Sequence, residues 1–430
     1  MIKILVATFV FIFALLIGFP IAFVIGLSSF SSIALDNIPL TVIPQRMFSG
    51  IDVFVVMAVP FFILTGEIMN RGGVSQRLIR FAEVIVGRVK GGLAYSNIIA
   101  SMFFGGISGA AIADVSAIGS VMIPAMEKSG YKRSFSSAIT ACSSVVGPII
   151  PPSIPAVLYA MNVSGVSVGA LFVAGIVPGI MLGGGLMLVC ALMANKENFP
   201  KREKVVTAKE FFKILFEAFL ALIAPLIIIG GIIFGIFTPT EASVIAVVYS
   251  VIIASLIYRQ LSLRDIIESL KQAGITTSIL FLVVSTAYVM AYVFSIKGVA
   301  PSMASFIVGI VGENPFLFLL MVNILLLVIG TFMEFSAVII VLGPMLAPIA
   351  VQLGIDPLHF GVIFIVNLAI GLTTPPLGVC LFATSGIANI SLEQLSKAVL
   401  PFLLVKVMVL FLITYLPFFS LYIPELLNII

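Results

Sequence analysis

Apolar stretches of about 20 residues, the length a hydrocarbon core about 30 Å thick asks of a crossing helix, recur along this chain from one end to the other. Inside lipid there is no water to satisfy backbone N–H and C=O groups, so such stretches fold as helices that satisfy their own. Charged residues make up 9% of the 430 positions and hydrophobic residues 61%, with a mean hydropathy of +1.29. A soluble globular domain carries about 25% charged residues, so no sizeable soluble domain fits. The 36 glycines and 23 prolines lie largely within the apolar stretches, where a break is tolerated only against protein or a water-filled cavity. Broken helices are therefore expected.

The net charge of +4 reads as loop topology, and no basic patch with interleaved aromatics points to nucleic acid. Cys142, Cys190 and Cys380 are widely spaced within apolar segments, which fits neither a transition-metal site nor a disulfide frame. The N-terminal apolar run has no A-x-A-like cleavage site ahead of a soluble domain and is read as a mature helix.

Shifting the chain against itself by 224 residues places Gly106 on Gly330, Pro124 on Pro348, Gly130 on Gly354, Gly147 on Gly371, Pro151 on Pro375 and Pro152 on Pro376. This predicts two copies of one unit, 1–205 and 206–430. Basic residues crowd 71–90, 128–133, 196–213 and 259–271, while the repeat mates 296–315 and 352–357 hold only Lys297 with Glu313, and Asp356. Short cytoplasmic loops are rich in Lys and Arg, so equivalent loops are expected on opposite faces of the membrane.

Only 37 residues separate Lys90 from Lys128, too few for two crossings and the turn expected at Gly105–Gly109. The segment 91–127 is read as a re-entrant hairpin from the cytoplasm, and 315–351 as its counterpart from outside. The fold class expected is an all-α polytopic membrane protein with two inverted-topology repeats, each with five crossings and one hairpin. In the first copy these are scaffold helices within 1–70, a connector 71–90, the hairpin, a broken helix 134–163 and a helix 168–195. In the second they are scaffold helices within 213–296, a connector 297–314, the hairpin, a broken helix 359–388 and a helix 398–418. The connector at 71–90 reads equally as an amphipathic surface helix, carrying Arg77, Arg80 and Arg88, or as a solvated basic loop. Both termini would face the periplasm.

The chemistry is expected where prolines interrupt crossings, at Gly147–Ser153 and at Gly371–Pro376. An interruption frees carbonyls, which suit a hard cation, and exposes a helix N-terminus, which suits an anion. Paired midplane breaks in inverted copies are the sequence pointer to a secondary transporter's binding site. Ser108 and Ser116 near the first hairpin tip, and Thr331 and Ser336 near the second, offer hydroxyl oxygens. Asp114 and Glu334 follow the tips, and a carboxylate at membrane depth marks a functional site; their roles as sodium ligand, partner of a ligand or protonatable group stay open. Ser143, Ser144, Ser153, Asn367, Thr373, Thr384 and Ser385 are polar groups at or near the breaks, of which Ser153, Thr373, Thr384 and Ser385, with Ser116, are candidates to touch substrate. His359, in a predicted loop, is read as a helix-start residue, and Glu241 as a cap. Neither hairpin nor break contains Arg or Lys, so an anion is expected to be held by dipoles, hydroxyls and bound cations.

The two Pro-Pro breaks, the Gly105-Gly106-Ile107-Ser108-Gly109 tip and the segment Phe360–Gly386 resemble the large membrane subunit of tripartite ATP-independent periplasmic (TRAP) transporters, of the DctM-like, sialic acid or dicarboxylate type. The likeness covers essentially all 430 residues. It implies an elevator fold of the ion-transporter superfamily, in the bacterial inner membrane, that imports an organic acid such as sialic acid, another sugar acid or a four-carbon dicarboxylate. It also implies a small four-helix membrane subunit, a soluble periplasmic substrate-binding protein and two or more co-transported Na+ ions. Carried over by position, one sodium site is Ser108 with the carbonyls of Gly147, Ile150 and Pro152; the other is Gly330, Thr331, Gly371, Thr374 and Pro376. Asp114 is grouped with the first and Glu334 with the second. The rival readings are a stand-alone sodium-carboxylate symporter and an intramembrane enzyme, the latter lacking any visible nucleophile-base pair or metal cluster.

Overall fold

The computed structural model describes residues 2–87, 89–196, 199 and 207–429. Arg88, Lys201, Arg202 and Lys204, and the expected boundary at 205/206, lie outside the described residues. Among the described residues there is no strand. The first half runs through α1 (Ile2–Leu16), α2 (Ile21–Leu35), α3 (Val42–Ile51), α4 (Ala58–Arg71), α5 (Val74–Val86), α6 (Gly92–Ser108), α7 (Ala111–Lys128), α8 (Arg133–Ser144), α9 (Ile154–Asn162) and α10 (Val168–Lys196). The second runs through α11 (Ala208–Ile233), α12 (Pro239–Ile252), α13 (Leu263–Ile296), α14 (Val299–Val311), α15 (Pro315–Gly330), α16 (Phe335–Gln352), α17 (Pro357–Gly371), α18 (Val379–Ala388), α19 (Leu392–Tyr415) and α20 (Phe418–Leu426).

Among the described residues, seven helical segments are each long and apolar enough to cross a membrane: Phe54–Arg71, Val168–Ala194, Ala208–Ile233, Pro239–Ile257, Leu263–Ile296, Phe335–Gln352 and Leu392–Tyr415. Large apolar side chains such as Phe9, Leu192, Phe216 and Leu404 stand exposed on the outside, as they do where lipid is the solvent. Lipid tails are as apolar as leucine, so these helices are held by close van der Waals packing and interhelical hydrogen bonds.

The order of elements repeats. A short helix (α5 or α14) leads into a helix pair (α6–α7 or α15–α16), and that pair into a helix broken at its Pro-Pro step (α8/α9 or α17/α18). The halves also interlock, with α7 packed on α18, α8 on α19, α9 on α16 and α10 on both α17 and α19. At the centre lie α8, buried from Phe135 to Ser144, and α17, buried from Leu358 to Gly371. Apart from His359 and Asn367, α17 is apolar all round, the pattern of a helix enclosed on every side. α8 is instead rich in hydroxyls that bond back to the preceding turn, as Ser137 Oγ does to Arg133 O at 2.7 Å, Thr140 Oγ1 to Ser136 O at 2.8 Å and Ser144 Oγ to Ala141 O at 2.8 Å.

Several boundaries differ from expectation. The first hairpin turns at the last residue of the expected Gly105–Gly109 stretch: the helix continues through Ser108 and reverses at Gly109, whose φ of 62° is in the left-handed region that favours glycine. The basic loop expected at 259–271 is largely the start of α13, because Ser262 and Asp265 form a capping box that begins a 34-residue helix at Leu263. A second capping box, Thr207 with Glu210, starts α11 ahead of residue 213. The last crossing is earlier than 398–418, since Ser391 caps α19 and Pro417 opens a separate helix, α20. Both connectors hold helices: α5 buries Val74, Leu78, Ile79 and Ala82, with Arg77 partly buried and Arg80 exposed.

Candidate functional site

The two breaks are built alike. After α8, the chain turns through Val145–Ser153; Ser153 then caps α9 by accepting from Ala156 N at 3.1 Å while its Oγ donates across the break to Pro148 O. After α17, Thr373 Oγ1 and Thr374 Oγ1 both donate to Ile370 O, at 3.1 and 2.9 Å, and Cys380 N reaches back to Leu372 O at 3.0 Å. Each break carries a cis Pro-Pro bond, Pro151–Pro152 and Pro375–Pro376.

Each hairpin tip rests on a break with no side chain between the backbones. A methyl group on Gly105 would stand 2.5 Å from the Gly147 α-carbon, and one on Gly109 would stand 2.4 Å from Pro152 O. A methyl on Gly371 would stand 2.8 Å from Gly330 backbone atoms. From the other side, α10 sets Gly175 against Ile149 O and Gly179 against the Ile150 side chain. Glycine is required at such contacts because any β-carbon would separate the two backbones.

The sequence of residues 8–419 matches the family described as "Tripartite ATP-independent periplasmic transporter, DctM component". The chain belongs to that DctM family. It is 39% identical over 410 residues to the sialic acid TRAP transporter large permease protein SiaM of Vibrio cholerae, covering 95% of each chain. It is 42% identical over 404 residues to the isethionate TRAP transporter permease protein DctMQ of Oleidesulfovibrio alaskensis, covering 94% of this chain and 63% of that one. Among solved structures, the Alcanivorax borkumensis YdaH transporter shares the fold, with a TM-score of 0.63 over 89% of this chain at 14% identity. As a DctM-family large permease the chain is a multi-pass membrane transport protein and not an enzyme.

Within this DctM-family chain, the first site's predicted residues converge: Ser108 closes α6 at 2% exposure beside Gly66 of α4, and Gly147, Ile150 and Pro152 lie against the same tip. In the second site, Gly330 and Gly371 touch, Thr331 is buried with its Oγ1 bonded to Val328 O at 2.7 Å, and Thr374 and Pro376 lie on the loop leaving Gly371.

The two carboxylates differ. Glu334 caps α16, accepting from Ser336 N at 2.8 Å, Ser336 Oγ at 2.9 Å and Ala337 N at 3.3 Å, so both of its oxygens already serve the helix start. Asp114 is fully buried one turn into α7, and neither of its oxygens has a hydrogen-bond partner. The Ser101 hydroxyl lies beside it and also stands 2.9 Å from Ser143 Oγ, where either hydroxyl can donate.

The expected substrate residues scatter. Ser153 and Thr373 are at the breaks; Thr384 is buried and bonded to Cys380 O at 2.7 Å, and Ser385 bonds Ile390 O at 2.6 Å. Ser116 is exposed, with its hydroxyl turned back on Ile112 O. His359 lies in the first turn of α17, buried, its ring bonded to Ser420 Oγ at 2.8 Å. Glu241 forms a capping box with Thr238 at the start of α12.

Buried Asn97 and Asn323, which stand out in no sequence pattern, join the hairpin arms to the broken helices. Asn97 of α6 donates to Thr140 at 2.7 Å, and Asn367 of α17 donates to Asn323 Oδ1 of α15 at 2.8 Å. Lys406 of α19 is fully buried against Thr373, which supplies an amine beside a break that itself contains none. Its signal was a single lysine midway along an apolar crossing.

Proposed function

We propose that this large permease drives the import of an organic acid by coupling it to sodium at the paired breaks. The observation that carries the reading is the repeated contact of a glycine-bearing hairpin tip with a Pro-Pro break, Gly105 and Gly109 on Gly147 and Pro152, and Gly330 on Gly371. Around the first contact, Ser108 and the carbonyls of Gly147, Ile150 and Pro152 would hold one Na+; around the second, Thr331, Thr374 and the carbonyls of Gly330, Gly371 and Pro376 would hold another. Oxygen ligands without a transition-metal donor suit an alkali cation. Asp114, with unused carboxylate oxygens, fits a role in charge balance better than Glu334, which is occupied as a cap. The acid's carboxylate would sit at the N-termini of α9 and α18, where dipoles favour an anion.

In this reading the halves are inverted, both termini face the periplasm of a bacterial inner membrane, and the hairpins with the broken helices move as an elevator against the remaining helices. The acid arrives on a periplasmic substrate-binding protein, and a small four-helix subunit completes the permease. The relative named DctMQ extends well beyond the part this chain matches, which agrees with a second membrane subunit. Relatives of similar identity are named for sialic acid and for isethionate, so the common substrate feature is an organic anion.

The test is uptake into liposomes holding this chain and its small partner, with sialic acid, succinate and isethionate each supplied on its binding protein. Accumulation of one acid under an inward sodium gradient, lost when potassium replaces sodium, is the expected result. Equal accumulation with either cation contradicts sodium coupling, and equal uptake without a binding protein favours a stand-alone symporter.

A further inference from the structure

Lys406 lies in α19 between Val399 and Leu412, a stretch with no other charged residue. It is fully buried, and among the described residues no carboxylate forms a salt bridge with it. Its amine donates to Thr373 Oγ1, and Thr373 Oγ1 donates onward to Ile370 O at 3.1 Å, so a directed chain of hydrogen bonds runs from Lys406 to the end of α17. Cys142 of α8 and Cys380 of α18 lie beside it, and Asp114 of α7 is also near Cys380. The 224-residue shift that aligns the breaks pairs Lys406 with Leu182 and Thr373 with Ile149. The second break therefore carries a feature that the first lacks.

A lysine used only as a pin needs just its hydrogen bond, which a neutral amide also supplies. A charge at membrane depth acts on every other charge nearby, because little water screens it. We propose that Lys406 is a resident cation of the second break that weakens sodium binding there by charge repulsion, so that the ion held near Gly371, Thr374 and Thr331 is readily released. This rests on the sodium reading above. At an effective permittivity of about 20, two unit charges about 10 Å apart shift a binding equilibrium by about tenfold.

The sign of the effect separates repulsion from a structural role. Purified chain would be titrated with NaCl, replacing KCl at constant ionic strength, while its melting temperature is followed, since a ligand that binds the folded state raises it. The variants are Lys406→Met, Lys406→Gln, Lys406→Arg and Thr373→Val. The neutral variants should reach half of the sodium-dependent rise at about one-tenth of the wild-type sodium concentration. Lys406→Arg should match wild type, and Thr373→Val, which keeps the charge, should need as much sodium or more. Unchanged or weakened sodium binding in Lys406→Met and Lys406→Gln overturns the proposal and leaves the sodium reading intact, as does failure of both to fold while Lys406→Arg folds. A wild-type protein that melts identically in NaCl and KCl overturns both.

Discussion

Gly371 and Gly330 meet backbone to backbone, and a methyl group on Gly371 would lie 2.8 Å from the Gly330 α-carbon and carbonyl carbon. In the first half Gly105, the residue before the repeat mate of Gly330, packs as tightly on Gly147, where a methyl group on Gly105 would lie 2.5 Å from the Gly147 α-carbon. These two contacts join hairpin to break in each half.

Gly371→Ala and Gly105→Ala force backbone apart from backbone and should each cost about 1–3 kcal/mol of stability, read as a lower melting temperature in detergent. Gly184→Ala and Gly230→Ala, where nothing lies within 4 Å of the added carbon, should be neutral or stabilising by up to about 1 kcal/mol, since alanine favours a helix. A common shift in all four would refute the contact.

Asn367 donates to Asn323 at 2.8 Å, and Asn323 donates to Thr414 Oγ1 at 3.0 Å, all buried. Asn367→Leu strands Asn323 Oδ1 and should cost about 1–3 kcal/mol. Adding Asn323→Leu should cost less than the two single changes summed. Strict additivity in thermal unfolding would mean the pair is not coupled.

Arg77 reaches from α5 to Gly73 O at 2.8 Å and Gln260 Oε1 at 2.9 Å, and its guanidinium lies 3.8 Å from the Tyr258 ring centroid. Arg77→Ala should destabilise by about 1–3 kcal/mol through lost charged hydrogen bonds and ring contact. Arg80→Ala, at an exposed position on the same helix, should fall within about 0.5 kcal/mol of wild type. Limited proteolysis of the 71–90 region provides an independent check.

Ser108→Ala and Thr331→Ala each remove a hydroxyl beside a tip-break contact and should raise the sodium concentration for half-maximal uptake by about threefold to tenfold, the equivalent of about 0.7–1.4 kcal/mol. Ser116→Ala should leave it unchanged. Unaltered sodium dependence in both Ser108 and Thr331 variants removes those residues from the ion sites.

The apolar crossings and the breaks were legible because proline and glycine act on the backbone wherever they stand: Pro151, Pro152, Pro375 and Pro376 interrupt their helices as read. Helix starts were misplaced where a side-chain cap outweighed charge, as at Ser262 and Asp265, since a basic run looks like a loop until its N-terminus is satisfied. The hairpin turn falls at the last residue of the stretch read for it, because Gly105 and Gly106 serve close packing and only Gly109 serves the turn. Lys406 and Asn323 were passed over because their importance lies in tertiary neighbours, Thr373 and Asn367, far away in sequence.

The paired sodium sites require two halves that face opposite ways. Ser129 and Gln352 are exposed near the outer ends of the two hairpins, and Cys142, Cys190 and Cys380 are buried, so single cysteines at 129 and 352 can be read cleanly. With a membrane-impermeant maleimide, Gln352→Cys should label in intact cells and Ser129→Cys only after the membrane is opened. Labelling of both from the same side would contradict the inversion on which the paired sodium sites rest.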